Sequence, residues 1–396
     1  MFYGIIILLL TTFVSYALAD YFFLPGTDNN KIAKQLFWYH LLLSAIYFIY
    51  VTFNPSDSKA YYATSLAAPT WLELYGTSTT FIKFLAYPFI HYFSFTYEAT
   101  MALFSFIGYC GFLFFFLSFK QVLQFRPSLW GYDLIKLVLF LPNLHFWSSS
   151  LGKGSVIFLA ISLFFWSMVN PRNRWLLLIL SSVIIYHVRP HIMLMMLVCY
   201  GVGFIFSTKG LPFAWRIIFL GGAAIAFFFI YKDVLTLVGI DEDQFLTQGL
   251  DLSHRASELG KATSGIDINQ YSLPLQVFTF LYRPLFFDAP GALGLFVSVE
   301  NVFYLLLTTY TLFQLKSWTY VFNGDYLVKG SLLSFITVSV ALAQVSGNLG
   351  LAIRQKSQIM VLFLFVVLSF LNDENRKDAM KRKLTKLGKF KKVNII

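Results

Sequence analysis

Long apolar runs, most of them closed by charged or aromatic residues, follow one another along the 396-residue chain. A helix that crosses a bilayer needs about 20 mostly apolar residues, with a range of roughly 17–25. On that length the pattern predicts about eleven spans, near 2–19, 36–53, 99–119, 132–149, 154–170, 175–188, 190–207, 214–231, 294–314, 330–347 and 356–372. The stretch 79–95 is apolar too, but it holds Lys83, Pro88 and His91 and reads as a re-entrant or interfacial segment. The expected fold is an all-α, polytopic transmembrane helical bundle over residues 1–372, with two long outer connections at 54–98 and 232–293. The first run ends "YALADYF", which faintly resembles a signal cleavage site. No basic region precedes it, so it reads as a retained helix.

Composition supports the pattern. Only 12% of residues are charged and 58% are hydrophobic, whereas soluble domains carry roughly a quarter charged residues. The rings of the 19% aromatic residues often sit near the ends of the runs, at the headgroup level that suits amphipathic side chains. Cys110 and Cys199 lie inside apolar runs, which implies neither a disulfide framework nor a metal cluster. No cofactor motif is visible; "SSSLGKGS" around Lys153 lacks P-loop spacing and follows no strand.

Charge then sets the orientation. The net charge is +11, and nine of the thirty Lys and Arg lie in the last 21 residues. The tail 373–396 therefore reads as a basic cytoplasmic segment facing anionic membrane lipids, not as a nucleic-acid-binding arm. With that tail inside, eleven spans put the N-terminus outside, with 20 Lys and Arg inside against 10 outside.

Most polar oddities then fall on the outer side. Asp57 lies in "NPSDSKAYY", Lys153 in "HFWSSSLGKGS", and Arg189 and His191 in "YHVRPHI". Arg283 and Asp288 lie in "LYRPLFFDAPG", Glu300 in "SVENVF", and Arg354 and Lys356 in "GNLGLAIRQKSQ". A charge at membrane depth costs about 2.5–3.5 kcal/mol on insertion scales, so several cations in short outer turns call for a reason. Arginine's planar fork matches phosphate oxygens bidentately. Several forks above a bilayer suit a lipid-linked pyrophosphate whose tail stays in the membrane, and a nearby carboxylate can accept the proton of an attacking hydroxyl. Taken singly, each residue also has a bland reading. Asp57 caps a turn, Arg189 and Arg354 snorkel at span ends, and His191 packs at an interface. Asp241, Glu242 and Asp243 read as a solvated loop.

The order of an outer "D-S-x-x-Y-Y" loop, "GTSTTFIKFLAYPF", "LPNLHFWSSSLGKGSVIF", "VRPHI" and a basic outer loop near the C-terminus resembles the EpsG-like and Wzy-type polymerases of bacterial surface polysaccharides. It is also similar to the wider GT-C membrane glycosyltransferases, whose first outer loop carries a catalytic acid. The resemblance implies a role for Asp57 as that acid, though Lys59 stands where many GT-C enzymes have a second acid. It implies that Arg189, Arg283 and Arg354 hold a polyprenyl-pyrophosphate glycan. It further implies residence in the plasma membrane of a bacterium, an extracytoplasmic active face, and partnership with other polysaccharide-assembly proteins. Asp57, His191, Asp288 and Glu300 are the catalytic candidates, with Lys153, Arg189, Arg283, Arg354 and Lys356 as substrate-binding ones and no metal or cofactor expected. A transporter or flippase of lipid-linked glycans is the second reading. It predicts ionisable groups near the bilayer midplane and repeat symmetry; the sequence pattern shows few charges mid-span, with Glu300 and Lys136 near span ends, and no evident repeat.

Overall fold

The computed structural model describes residues 2–129, 131–207, 265–289 and 291–393, with scattered positions between 212 and 228. The expected span 214–231 is thus described only in part. The outer connection up to residue 264, with Asp241, Glu242 and Asp243, lies outside the described residues.

The bilayer offers no water to backbone N–H and C=O groups, so apolar runs satisfy these groups within helices. The chain passes through α1 (Phe2–Phe22), α2 (Asp28–Phe53), α3 (Asp57–Ala67), α4 (Thr79–His91) and α5 (Tyr97–Val122). A two-stranded hairpin follows, β1 (Ser128–Leu129) and β2 (Tyr132–Asp133), paired antiparallel with Ser128 opposite Asp133. Next come α6 (Leu134–Leu139), α7 (Pro142–Trp147), α8 (Lys153–Val169), α9 (Trp175–Val188) and α10 (Pro190–Ile205). The rest of the described chain forms α11 (Leu273–Tyr282), α12 (Gly291–Leu312), α13 (Leu315–Phe322), α14 (Tyr326–Val345) and α15 (Leu349–Val393). Six of these helices, α1, α2, α5, α12, α14 and α15, are long and apolar enough to cross a membrane. The chain is an all-α, multi-pass membrane protein. Side-chain oxygens of Thr27, Ser56, Thr96, Asp133 and Asp325 cap the helices that follow them, each satisfying one orphan N–H, or two in the case of Asp133.

Contacts sort the helix ends into two sets. At one end Lys34 pairs with Asp20 (2.7 Å), Arg174 donates to Gln121 (2.9 Å), Asn375 to the Arg126 carbonyl (2.9 Å), and Lys316 pairs with Glu374 (3.3 Å). This is the basic end. At the other end α3 and α4 pack together beside the turns that join α7 to α8 and α9 to α10. α4 stays there: the N–H of Ser78 before it donates to the His187 carbonyl (2.6 Å), and His91 near its close bonds the Ser65 carbonyl (2.9 Å).

Three expectations change. The predicted span 132–149 opens on β2 and then breaks into α6 and α7, because Pro142 has no N–H to continue the ladder and starts a new helix instead. The predicted span 356–372 is part of α15, a single helix of 45 residues. The tail is therefore, as far as Val393, a helical extension of the last span, and Arg354 and Lys356 belong to the first turns of that helix instead of an outer connection. Finally, α11 and α13 were not expected. α13 is an amphipathic helix that exposes Leu315, Trp318 and Phe322 while burying Ser317.

Without a hydrophobic drive between lipid-immersed helices, small residues let backbones approach. A Cβ on Gly108 of α5 would stand 2.0 Å from the Ser148 carbonyl oxygen, and one on Gly154 of α8 would stand 2.0 Å from that of Trp147. Both glycines thus clamp the 147–153 turn. Gly108→Ala and Gly154→Ala are each expected to cost about 1–3 kcal/mol, the usual range for overpacking, because backbone must move. Thermal unfolding of the purified protein in detergent reads this as a lowered Tm. A wild-type Tm in either variant means the turn is not clamped there.

Candidate active site

A cavity of about 490 Å³ opens at the end opposite the basic one. Its walls come from five parts of the chain: the end of α2 with the start of α3, the 78–79 strap, the 147–154 turn, the α9–α10 turn, and the α14–α15 junction. Asp57, Lys153, Arg189, His191 and Arg354 all line it.

Asp57 is the first residue of α3, and the side chain of Ser56 caps that helix. Its carboxylate, 58% exposed, accepts from Arg354 Nη1 at 3.1 Å. The Arg354 guanidinium also lies over the Trp147 ring, 4.7 Å from its centroid, a cation–π contact that holds the fork flat. Lys153, the first residue of α8, donates from Nζ to Ser78 Oγ at 2.7 Å. Ser78 itself has φ +63°, a conformation that non-glycine residues rarely adopt and that concentrates at functional sites.

Arg189 sits in the tight turn between α9 and α10, where Pro190 begins the new helix. Its residue is only 7% exposed. Its backbone is fully used: the N–H donates to the Ile185 carbonyl (2.7 Å), and its own carbonyl accepts from Ile192 (3.0 Å) and Met193 (3.2 Å). Its guanidinium, by contrast, has no hydrogen-bond acceptor among the described residues. Burial and the neighbouring Arg354 charge bring its pKa down to about 10, so it is still a cation at neutral pH. Tyr61 stands between these charges. Burial, reinforced by the Asp57 carboxylate, pushes its hydroxyl up to about 12 and keeps it a neutral donor.

Arg283, Asp288, Glu300 and Lys356 do not line the cavity; they form a second network behind it. Arg283 pairs with Asp288, which also accepts from the Leu285 N–H at 2.5 Å. Lys356 is fully buried and donates to the Arg283 carbonyl (2.8 Å). Glu300, also buried, accepts from the Asn143 N–H (3.0 Å) and from the Tyr304 hydroxyl. Asn143 reaches the Ile353 carbonyl (3.3 Å), and Asn301 reaches that of Pro284 (2.7 Å). These bonds fix the start of α15 against α7, α12 and the 283–288 loop.

Comparison with protein-family models, curated proteins and solved structures finds no match. What the site can do rests on its own chemistry. Three cations (Lys153, Arg189, Arg354) face one carboxylate (Asp57), a net charge of +2 before His191 is considered. Met195, Leu342 and Val345 supply an apolar flank. Such a cavity suits a doubly charged anion carried on an apolar chain. No group of three or more His, Cys, Asp or Glu placed to hold a metal ion occurs among the described residues.

Sequence reasoning missed Trp147 and Ser78. The signals were present: an aromatic directly before "SSSLGKGS", and a small hydroxyl residue in "GTSTTF" two positions after a glycine.

Proposed function

We propose that the protein is a membrane glycosyltransferase of the polymerising type, acting on polyprenyl-pyrophosphate-linked sugars in bacterial surface polysaccharide synthesis. The observation that carries this reading is Arg189, a buried guanidinium with no acceptor among the described residues, lining a cavity with two further cations. Burying an unpaired charge is costly, and an incoming anion offsets that cost. A pyrophosphate diester carries two negative charges, which balance the site.

In the reaction an acceptor hydroxyl oxygen attacks the anomeric carbon, and the bond from that carbon to the pyrophosphate oxygen breaks. Lys153, Arg189 and Arg354 receive the charge that develops on the leaving pyrophosphate. Arg354 swings from Asp57 to the phosphate, which frees the carboxylate to take the hydroxyl proton. An exposed ion pair of this kind is worth about 0–1 kcal/mol, so the exchange is cheap. The cavity belongs on the extracytoplasmic face of the plasma membrane, where other polysaccharide-assembly proteins deliver substrate.

The test is reconstitution in proteoliposomes with a short polyprenyl-pyrophosphate glycan. Elongation of the glycan is the expected outcome. Movement of the lipid across the bilayer without elongation would support the transporter reading instead.

A further inference from the structure

Halfway along α2, His40 meets His145 of α7 inside the helical bundle, and both side chains are fully enclosed. The two Nδ1 atoms lie 3.0 Å apart. His40 Nε2 is 3.0 Å from the Ser105 carbonyl oxygen, and His145 Nε2 is 2.8 Å from that of Leu139. All four ring nitrogens are therefore in hydrogen-bond contacts, which makes a proton count possible.

A carbonyl oxygen only accepts, so both Nε2 atoms must carry hydrogen. A neutral imidazole has one N–H. Two neutral rings have then spent both protons on carbonyls, leaving two bare lone pairs facing each other at 3.0 Å. Moving either proton to Nδ1 repairs that contact but sets an Nε2 lone pair against a carbonyl oxygen. Every neutral arrangement leaves one of the three contacts repulsive. Three protons satisfy all three, and three protons on two imidazoles make a single positive charge.

We infer that His40 and His145 bind one extra proton between their Nδ1 atoms, forming a proton-binding site built into the bundle. This inference stands apart from the proposed glycosyl transfer.

The surroundings offset the cost of the buried charge. Leu139 is the last residue of α6, so its carbonyl is an orphan at a helix C-terminus, which favours a cation. The Phe112 ring of α5 stacks on His145 at 3.6 Å with an interplanar angle of 2°, and Tyr39 of α2 meets that ring edge-on at 4.9 Å. Aromatic faces attract cations. Among the described residues no carboxylate, lysine or arginine hydrogen-bonds to either imidazole; the other titratable ring in contact is that of Tyr39. The charge is therefore not supplied or cancelled by a neighbour, and the pair takes its proton from solution.

The consequence reaches the cavity. The shared proton joins α2 to α7, and α7 ends at Trp147, the ring on which Arg354 lies. Loss of the proton removes one tie between α2 and α7, beside the ring contacts of Tyr47 and Tyr50 with Phe146, and loosens that shelf.

Histidine-selective ¹⁵N labelling of the full-length protein in lipid nanodiscs, followed by ¹⁵N–¹⁵N correlation NMR at neutral pH, tests the site. The expected result is one pair of ring nitrogens coupled through a hydrogen bond, on two rings that together carry three N–H. Phe112→Leu, which removes the ring stacked on His145, is expected to shift the coupled signals and so assign them. His40→Gln and His145→Gln are each expected to abolish the coupling; should these variants not fold, Phe112→Leu still makes the assignment. Two rings with one N–H each and no coupling overturn the inference, and so does a coupled pair that Phe112→Leu leaves unmoved.

Discussion

Arg189→Lys is expected to lower the rate of glycan elongation by about 10²–10³-fold, the usual loss when one preorganised donor to a developing oxyanion is removed. The lysine keeps the charge but not the geometry. Its ammonium is a point charge on a flexible stem, whereas the guanidinium presents parallel N–H groups in a fixed fork. The turn between α9 and α10 aims that fork, and Pro190 and the bonds of the Arg189 backbone hold the turn. Because no acceptor among the described residues restrains the guanidinium, removing it breaks no hydrogen bond among them, and the variant is expected to fold normally. The measurement is the initial elongation rate in proteoliposomes at matched amounts of folded protein. A lysine variant within a few-fold of wild type would remove Arg189 from phosphate binding.

Asp57→Asn is expected to reduce kcat by about 10²–10⁴-fold, the range for a positioned general base, while donor binding changes by no more than a few-fold. The amide cannot take the hydroxyl proton, yet it occupies the same space at the start of α3. Loss of the carboxylate charge also weakens the 3.1 Å contact with Arg354, which leaves that guanidinium freer to meet the pyrophosphate. The two substitutions are therefore separable: Arg189→Lys weakens the hold on the leaving group, and Asp57→Asn leaves that hold intact but stalls the proton. Parallel losses of donor affinity in both variants would mean that Asp57 serves only to position Arg354.

The apolar runs made most of the bundle legible, because a bilayer demands that every run of sufficient length close its own hydrogen bonds. The break at Pro142 was legible in principle, since proline removes one of those bonds; the run 132–149 is apolar on both sides of it and masked the change. α13 was hidden for the opposite reason. Its apolar face is too short to resemble a span, and only its burial pattern reveals the amphipathic stripe. The site divides along similar lines. Asp57, Lys153, Arg189, His191 and Arg354 sit at or near helix ends that converge on one side, so a topology argument places them together. Lys356 was grouped with Arg354 on sequence proximity. Two residues apart on a helix, however, means about 200° of rotation: Arg354 turns to Asp57, and Lys356 turns to Arg283. Glu300, ten residues into α12, is well inside a span and bonds to α7, a depth that no tally of outer loops conveys.

α15 makes the cavity and the basic end of the molecule one mechanical part. Arg354 near its start and Asp373 farther along are joined by unbroken helix, roughly 29 Å at 1.5 Å per residue. Near Asp373, Asn372 and Asn375 hold the chain around β1, and Glu374 meets Lys316 of α13. A helix that slides by a single residue's rise carries Arg354 about 1.5 Å along its axis, enough to part it from Asp57. Anything that grips the basic extension therefore has its hand on the guanidinium at the far side, as a push rod carries a stroke through a wall without opening it.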